Sequence, residues 1–384
     1  MANTNHKQVR FFPFDHEYTI PLTKTTVNNK INIRNDNKQQ HLSNNYYKGD
    51  ETMINQTYDV NLSEFPREKS ENSDEARIMR AIETCPSGVL FIPKGVYELK
   101  KPVVVTNCCS LLLHKSAVLK AVDKMNYVLI YDAAASYPNV SDSNSRLTSS
   151  GDYDAEDWNL FVCGGVLDGN GLASCMSLLS FKHFTMKDTS FRNGKQYGLR
   201  IEERGSLWSY ELVATNLYFK CTMPGLGGNA AVSSLGGDSH FVDCICVDYT
   251  VGFELLGGGS NRLTRCHVWG GPIPPRAKGE PPEMLVNSVN YRINCKDTIL
   301  TDCYADTGQT GFEISADSRL IGCSYYNNYV YGLDNIIIIQ HFDGRLVVSN
   351  GYYRQTSPNA KLYVGGGDVI WRDNVLAGGL KLPE

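Results

Sequence analysis

A short phrase in which apolar and polar positions alternate recurs through the chain: GLRIE at 198, GFELL at 252, GFEIS at 311 and GLDNI at 332. Weaker copies, AAVSS at 230 and NYRIN at 290, fill the gaps between them. A second phrase, VDC, TRC, TDC and IGC, ends on Cys244, Cys266, Cys303 and Cys323, in steps of 22, 37 and 20. A period near 21 with one insertion of 15 residues predicts a solenoid, because a unit that short cannot bury its own apolar face and must stack on a neighbour. Alternation with period two inside each phrase makes the unit a coil of strands, not a helix pair.

The same parity assigns faces. Leu199 and Ile201 are expected to point inward and Arg200 outward, and likewise Phe253 and Leu255 inward with Glu254 outward. Stacking the copies predicts one outward column of Arg200, Val232, Glu254, Arg292, Glu313 and Asp334, with Glu313 directly on Asp334. Rungs of a stacked parallel sheet lie about 4.8 Å apart, so these charges would line one groove. Two readings remain open at this level: a solvated charge ladder, or the wall of a site.

Residues 1–55 are rich in Asn, Lys and Gln with little periodicity, and are expected to form a polar arm. Residues 56–384 are expected to be a single coiled domain. Asn72 followed by Glu75 predicts a capping-box start to a short helix, DEARIMRAIE, whose stripe of Ile78, Met79 and Ile82 would cover the open end of the first coil. The rungs then begin with 88–92, a turn at Pro93-Lys94-Gly95, and 96–99. A polar stretch at 133–157 and GGPIPPRAKGEPPE at 270–283 are too long for coil turns. The second, with its five prolines directly after the Glu254 rung, is a candidate wall or lid. The acidic tip of the first, Asp152, Asp154, Glu156 and Asp157, lacks the spacing of a calcium loop and reads as a solvated loop.

Thirty-four glycines suit many turns between short strands. A net charge of −4 argues against a nucleic-acid partner. No stretch reaches the length of a membrane span, and the N-terminus carries no apolar core of signal-peptide length, so a cytoplasmic location is expected. In that compartment the twelve cysteines read as buried thiols, with Cys244, Cys266, Cys303 and Cys323 stacked at one corner of the coil. No paired ligand spacing supports a metal, and no cofactor is expected.

A nucleophilic triad and a phosphate-cradling glycine loop are both missing from the sequence, and His183, His240, His267 and His341 stand singly. Acid–base work by carboxylates remains. Cleaving a glycosidic bond needs one carboxylic acid at the leaving oxygen and one carboxylate to take a proton or hold the cation. Glu254 is the first candidate. Asp243, eleven residues earlier at the corner leading toward it, is the second. Tyr249, Trp269, Tyr291 and Tyr304 are candidates to stack on sugar rings, or are packing residues. A pectinase-type enzyme would be expected to carry paired aspartates in a GDD segment, a GHG and an RIK, none of which occurs here. A non-catalytic coil that grips glycans would need no acid pair.

YDV at 58, IPKGVYELKKPVVV at 92, LTRCHVWGGP at 263, YGLDNIIIIQHFDGRLVVSN at 331 and LYVGGGD at 362 resemble the inulin fructotransferase family, glycoside hydrolase family 91, over roughly residues 58–380. The resemblance implies a right-handed parallel β-helix, all-β apart from the short N-terminal helix, assembled as a homotrimer. It implies action on fructofuranosyl linkages: intramolecular transfer in inulin-type fructan to give a difructose dianhydride, or hydrolytic opening of difructose dianhydride III to inulobiose. The catalytic Asp and Glu of that family stand eleven residues apart, which carries the role onto Asp243 and Glu254. On that reading one protonates the leaving oxygen and the other takes the proton of the attacking hydroxyl or water. Arg292, Glu313, Asp334, Arg200 and Trp269 would then hold an oligosaccharide or fructan substrate.

Overall fold

The computed structural model describes residues 57–133, 160–179, 181–203, 209–223, 227–270, 287–327, 335–355 and 359–382. All of these fall in the unit Asn55–Glu384. The expected N-terminal arm, the acidic tip of the long polar stretch and residues 271–283 of the proline-rich one lie outside the described residues.

Each coil lays down three short strands in a fixed order. His240–Val242, Ile245–Val247 and Val251–Leu255 follow one another around the coil, and Arg262–Thr264 opens the next coil beside His240–Val242. Stacked this way, the described residues form three parallel sheets, here named A, B and C in the order a coil visits them, with twelve, eleven and ten strands. The architecture is a parallel β-helix. Alternation puts one set of side chains inside: Phe253 and Leu255 are fully buried, and Glu254 between them faces out.

The corner between sheets A and B is two residues long on coil after coil, and its first residue takes the left-handed conformation. Asp188, Asn216, Asp243, Arg265, Asp302, Gly322, Asn350 and Asp373 have φ between 51° and 65°. Asp, Asn and Gly tolerate that conformation best, which explains their recurrence at this corner, including before Cys244, Cys303 and Cys323; Arg265 before Cys266 is the departure. It turns the backbone N–H along the stack: Asp243 donates to Thr264 O at 3.0 Å, Arg265 to Thr301 O at 2.9 Å and Asp302 to Ile321 O at 2.8 Å. The corner therefore loses no ladder hydrogen bond.

Behind that corner the second residues stack inward. Cys244, Cys266, Cys303 and Cys323 are fully buried, and each thiol donates to carbonyls of its own and the preceding coil, as Cys266 does to Phe241 O at 3.4 Å and Thr264 O at 3.7 Å. Burial pushes the thiols of Cys266 and Cys323 well up, so neither supplies a thiolate at neutral pH. Native protein treated with a thiol reagent is accordingly expected to label Cys163, the half-buried one, before any ladder thiol, and the ladder only after denaturation. Mass spectrometry of the labelled peptides reads this directly, and rapid native labelling of Cys266 would contradict the packing.

The N-terminal end is closed by the helix Glu75–Glu83, with Ile78 and Ala81 fully buried and Ile82 nearly so. The expected capping box at Asn72 does not form. Asp74 occupies the cap position without a capping hydrogen bond, because its carboxylate faces the strand edge instead. It accepts from Glu98 N at 2.9 Å and from Arg67 at 2.8 Å, while Glu75 accepts from Lys100 N and the Met79 sulfur from Val104 N. Glu98 N and Val104 N sit on the first strands of sheets B and C, and Lys100 N directly follows the first of these, where no preceding coil exists to satisfy them. Asp74→Ala is expected to cost about 1–3 kcal/mol, the penalty for stranding a buried donor, read as a shift in the urea midpoint. An unchanged midpoint would show that the edge is satisfied some other way.

Candidate functional site

The outward face of sheet C carries a continuous chain of polar contacts across five coils. Register places Arg200, Ser233, Glu254, Arg292, Glu313 and Gln340 in one column. Arg200 reaches the Ser233 hydroxyl, and Ser233 donates to Glu254 Oε2 at 2.7 Å. Arg292 donates through Nη1 to Glu254 Oε1 at 2.9 Å and through Nε to Glu313 Oε1 at 2.6 Å. Glu254 and Glu313 are 17% and 19% exposed at the side chain, so both border solvent while held in place. Burial works against the charge of Arg292, but its hydrogen bonds with Glu313 and Glu254 outweigh that and raise its pKa. At the N-terminal end of the chain of contacts, Arg200 lies 5.0 Å from the centre of the Tyr197 ring and 3.8 Å from Glu202, which also accepts from the Tyr127 hydroxyl at 2.7 Å.

An apolar strip runs beside this column. Ala230, Val251 and Val289, between 4% and 6% exposed, pair across successive rungs and form a cluster separate from the core, with Tyr197 against it. The longest connections also attach to sheet C. Residues 271–286 and 328–334 precede its strands, and 134–159 and 204–208 follow them, whereas the described A–B corners are two or three residues long. Long connections carried by a rigid scaffold are where binding surfaces concentrate.

Four of the sequence-derived residues, Arg200, Glu254, Arg292 and Glu313, are thus brought together; the others are not. Val232 is fully buried in the core and pairs with Leu199, so Ser233 holds the column position expected for Val232. Asp334 lies outside the described residues, and the rung after Glu313 presents Gln340, so the expected stacking of Glu313 on Asp334 is corrected. Asp243 occupies the corner between sheets A and B, across the coil from sheet C. There Arg265 grips both of its carboxylate oxygens at 2.7 Å and holds its carboxyl below the usual range. An ionised carboxylate committed to a guanidinium is a poor proton donor, and the structure does not bring it to Glu254.

The expected sugar-stacking aromatics divide. Tyr249 and Tyr291 are buried, the latter stacked between Phe253 and Phe312 at centroid distances of 5.7 Å and 5.2 Å. Trp269 and Tyr304 face outward on sheet B instead of beside the Glu254 column. His341 is fully buried between Tyr363 and the Asp343 carbonyl, a packing role. Ser233 and Gln340 escaped the sequence reading because copies were aligned on their first small residue. Aligning on the large inward residue, Val232 under Leu199 and Ile339 under Phe312, places both.

Residues 174–340 match the family model described as "Right handed beta helix region". Among solved structures the chain is similar to Geobacillus virus E2 ORF18, with 15% identity and a TM-score of 0.56 over 82% of this chain and 61% of that one. It therefore spans less than two thirds of that viral chain. It is similar to the endo-xylogalacturonan hydrolase of Aspergillus tubingensis, at 10% identity and TM-score 0.55, over 83% of this chain and 93% of that one. A third likeness is PfbA, a surface adhesin of Streptococcus pneumoniae, at 12% identity and TM-score 0.53, over 84% and 91%. No curated protein sequence matches the chain. A glycan hydrolase, an adhesin and a viral chain share this architecture, so what these likenesses establish is the fold: a right-handed parallel β-helix.

Proposed function

We propose that the outward face of sheet C is a glycan-processing wall, in which Glu254 and Glu313 supply the two carboxylates that glycosidic-bond chemistry requires. The carrying observation is the bridge through Arg292, which fixes two partly covered carboxylates on alternate rungs of one surface. At ideal spacing those rungs stand about 9.6 Å apart, and both carboxylates lean toward the same guanidinium.

The hydrogen bonds divide the roles. Both oxygens of Glu254 accept, one from Ser233 and one from Arg292, which suits a carboxylate that stays anionic and holds an oxocarbenium-like centre. Glu313 gives one oxygen to Arg292 and its other oxygen has no hydrogen-bond partner among the described residues, so that oxygen can take the proton of the attacking hydroxyl or water and pass it on to the leaving oxygen. Arg200 and Arg292 hold sugar hydroxyls in this reading.

The finer assignment, to fructofuranosyl bonds and a homotrimeric assembly, is supported by the resemblance of the rungs at 92–105 and 331–350 to the inulin fructotransferases. Asp243 plays no part in the proposal. Incubating the protein separately with inulin and with difructose dianhydride III, followed by chromatography, tests it: a dianhydride from the first or inulobiose from the second is expected. New products from neither, with a Glu254→Gln control behaving identically, would remove the fructan assignment. One observation favours a second reading, a wall that grips glycan without cleaving it: Arg292 neutralises both carboxylates. Binding without any product would select it.

A further inference from the structure

The outward face of sheet B carries a second constellation that the sheet C chemistry does not use. Register places Trp269, Asp306, Tyr326 and Arg354 in one column, with His267 and Tyr304 side by side in the next. His267 stacks on Tyr304 at a centroid distance of 4.7 Å and 14°, and Arg354 lies 5.6 Å from the centre of the Tyr326 ring. Asp306 sits between the two aromatic rungs, its side chain 16% exposed, accepting from the Thr307 hydroxyl at 2.5 Å. His267 Nε2 is 3.9 Å from Asp306 Oδ2 and has no hydrogen-bond partner among the described residues. Burial and the Asp306 charge both push the Tyr304 phenol up, so it stays protonated as a donor.

The chemistry narrows the occupant. An apolar protein surface or an acyl chain laid on this face would strand Asp306 and Arg354 as buried charges, which is costly. An anionic ligand would meet Asp306 at the centre of the patch. A neutral saccharide satisfies both demands: its apolar ring face lies on flat aromatic rings, and its hydroxyls pair with a carboxylate, an imidazole nitrogen and a phenol. Trp269 and Tyr326, two rungs apart, give stacking positions along the coil axis for separate rings of one chain. We propose that this face of sheet B is a binding site for a neutral oligosaccharide, separate from the sheet C wall.

The test is retention of the full chain on an array of immobilised neutral oligosaccharides, with uronate-containing and sialylated glycans as the anionic arm. Parent protein is expected to bind neutral glycans, and a Trp269→Ala, Tyr326→Ala double variant to bind about tenfold or more weakly. Trp269→Phe, which keeps an aromatic face, should retain most of the binding, separating ring loss from misfolding. The double variant alters no residue of the sheet C column, so weakened binding in it is assigned to sheet B whether or not the sheet C proposal holds. Four results would overturn it: no neutral glycan retained, only anionic glycans retained, retention unchanged in the double variant, or a change in oligomeric mass by light scattering that marks the face as a subunit contact.

Discussion

Glu254→Gln is expected to lower turnover of the glycan proposed as substrate of the sheet C wall by about 10²–10⁴-fold while far-UV dichroism and cooperative unfolding stay those of the parent. The substitution is nearly isosteric and the side chain points away from the core, so the coil has no reason to repack. Its amide oxygen still accepts from Ser233 or Arg292. What disappears is the negative charge facing a developing cation, an interaction worth most in the transition state, so the loss should appear in kcat and kcat/KM alike. Glu313→Gln should also fall steeply, but with a changed pH profile, because it removes the group assigned to proton transfer. Asp243→Asn is the internal control. Its carboxylate is committed to Arg265 on the far side of the coil, so turnover close to the parent is expected. Should Asp243→Asn fall as far as Glu254→Gln, the assignment of chemistry to the sheet C wall is wrong.

Spacing along the chain does not by itself put Asp243 and Glu254 on one wall. A spacing of eleven residues matches the family resembled, and the two lie on one coil. A coil here advances 22 residues between Cys244 and Cys266, so eleven residues is half a circuit and leads to the opposite wall. Side chains share a wall when they are a whole coil apart, as Ser233 and Glu254 are, or a whole coil plus an insertion, as Glu254 and Arg292 are. Trp269, fifteen residues after Glu254, lands on sheet B by the same reasoning.

Much else was legible. Parity within GFELL and GFEIS fixed which residues face in, because one buried face allows only one register. The Cys phrase marked the tight corner, since its steric demand recurs on every coil. The rung above Thr310–Ile314 is the strand Ile337–His341, where the run of isoleucines at 336–339 hides the alternation that the earlier copies display. Loops were not legible in this way, because nothing periodic constrains them.

Tyr291 decides between two roles that sequence left open, and it carries the largest stability effect expected in the molecule. If it stacked on sugar at the surface, removing it would harm binding and spare the fold. The structure buries it completely, parallel to Phe253 and Phe312 at 3° and 9°, with its hydroxyl donating to Cys266 O at 2.7 Å. Tyr291→Ala opens a ring-sized gap in a column whose neighbours are locked by strand pairing above and below, so little collapse can fill it. About 3–5 kcal/mol of destabilisation is expected. Tyr291→Phe keeps the ring and loses only the hydroxyl. Cys266 O still accepts from Tyr304 N at 2.8 Å, so no carbonyl is stranded and the cost should stay near 1 kcal/mol. Urea unfolding of the two variants separates ring packing from hydrogen bonding, since a shared slope with different midpoints gives both energies. Equal losses for Ala and Phe would show that the hydroxyl, not the stack, holds this part of the coil together.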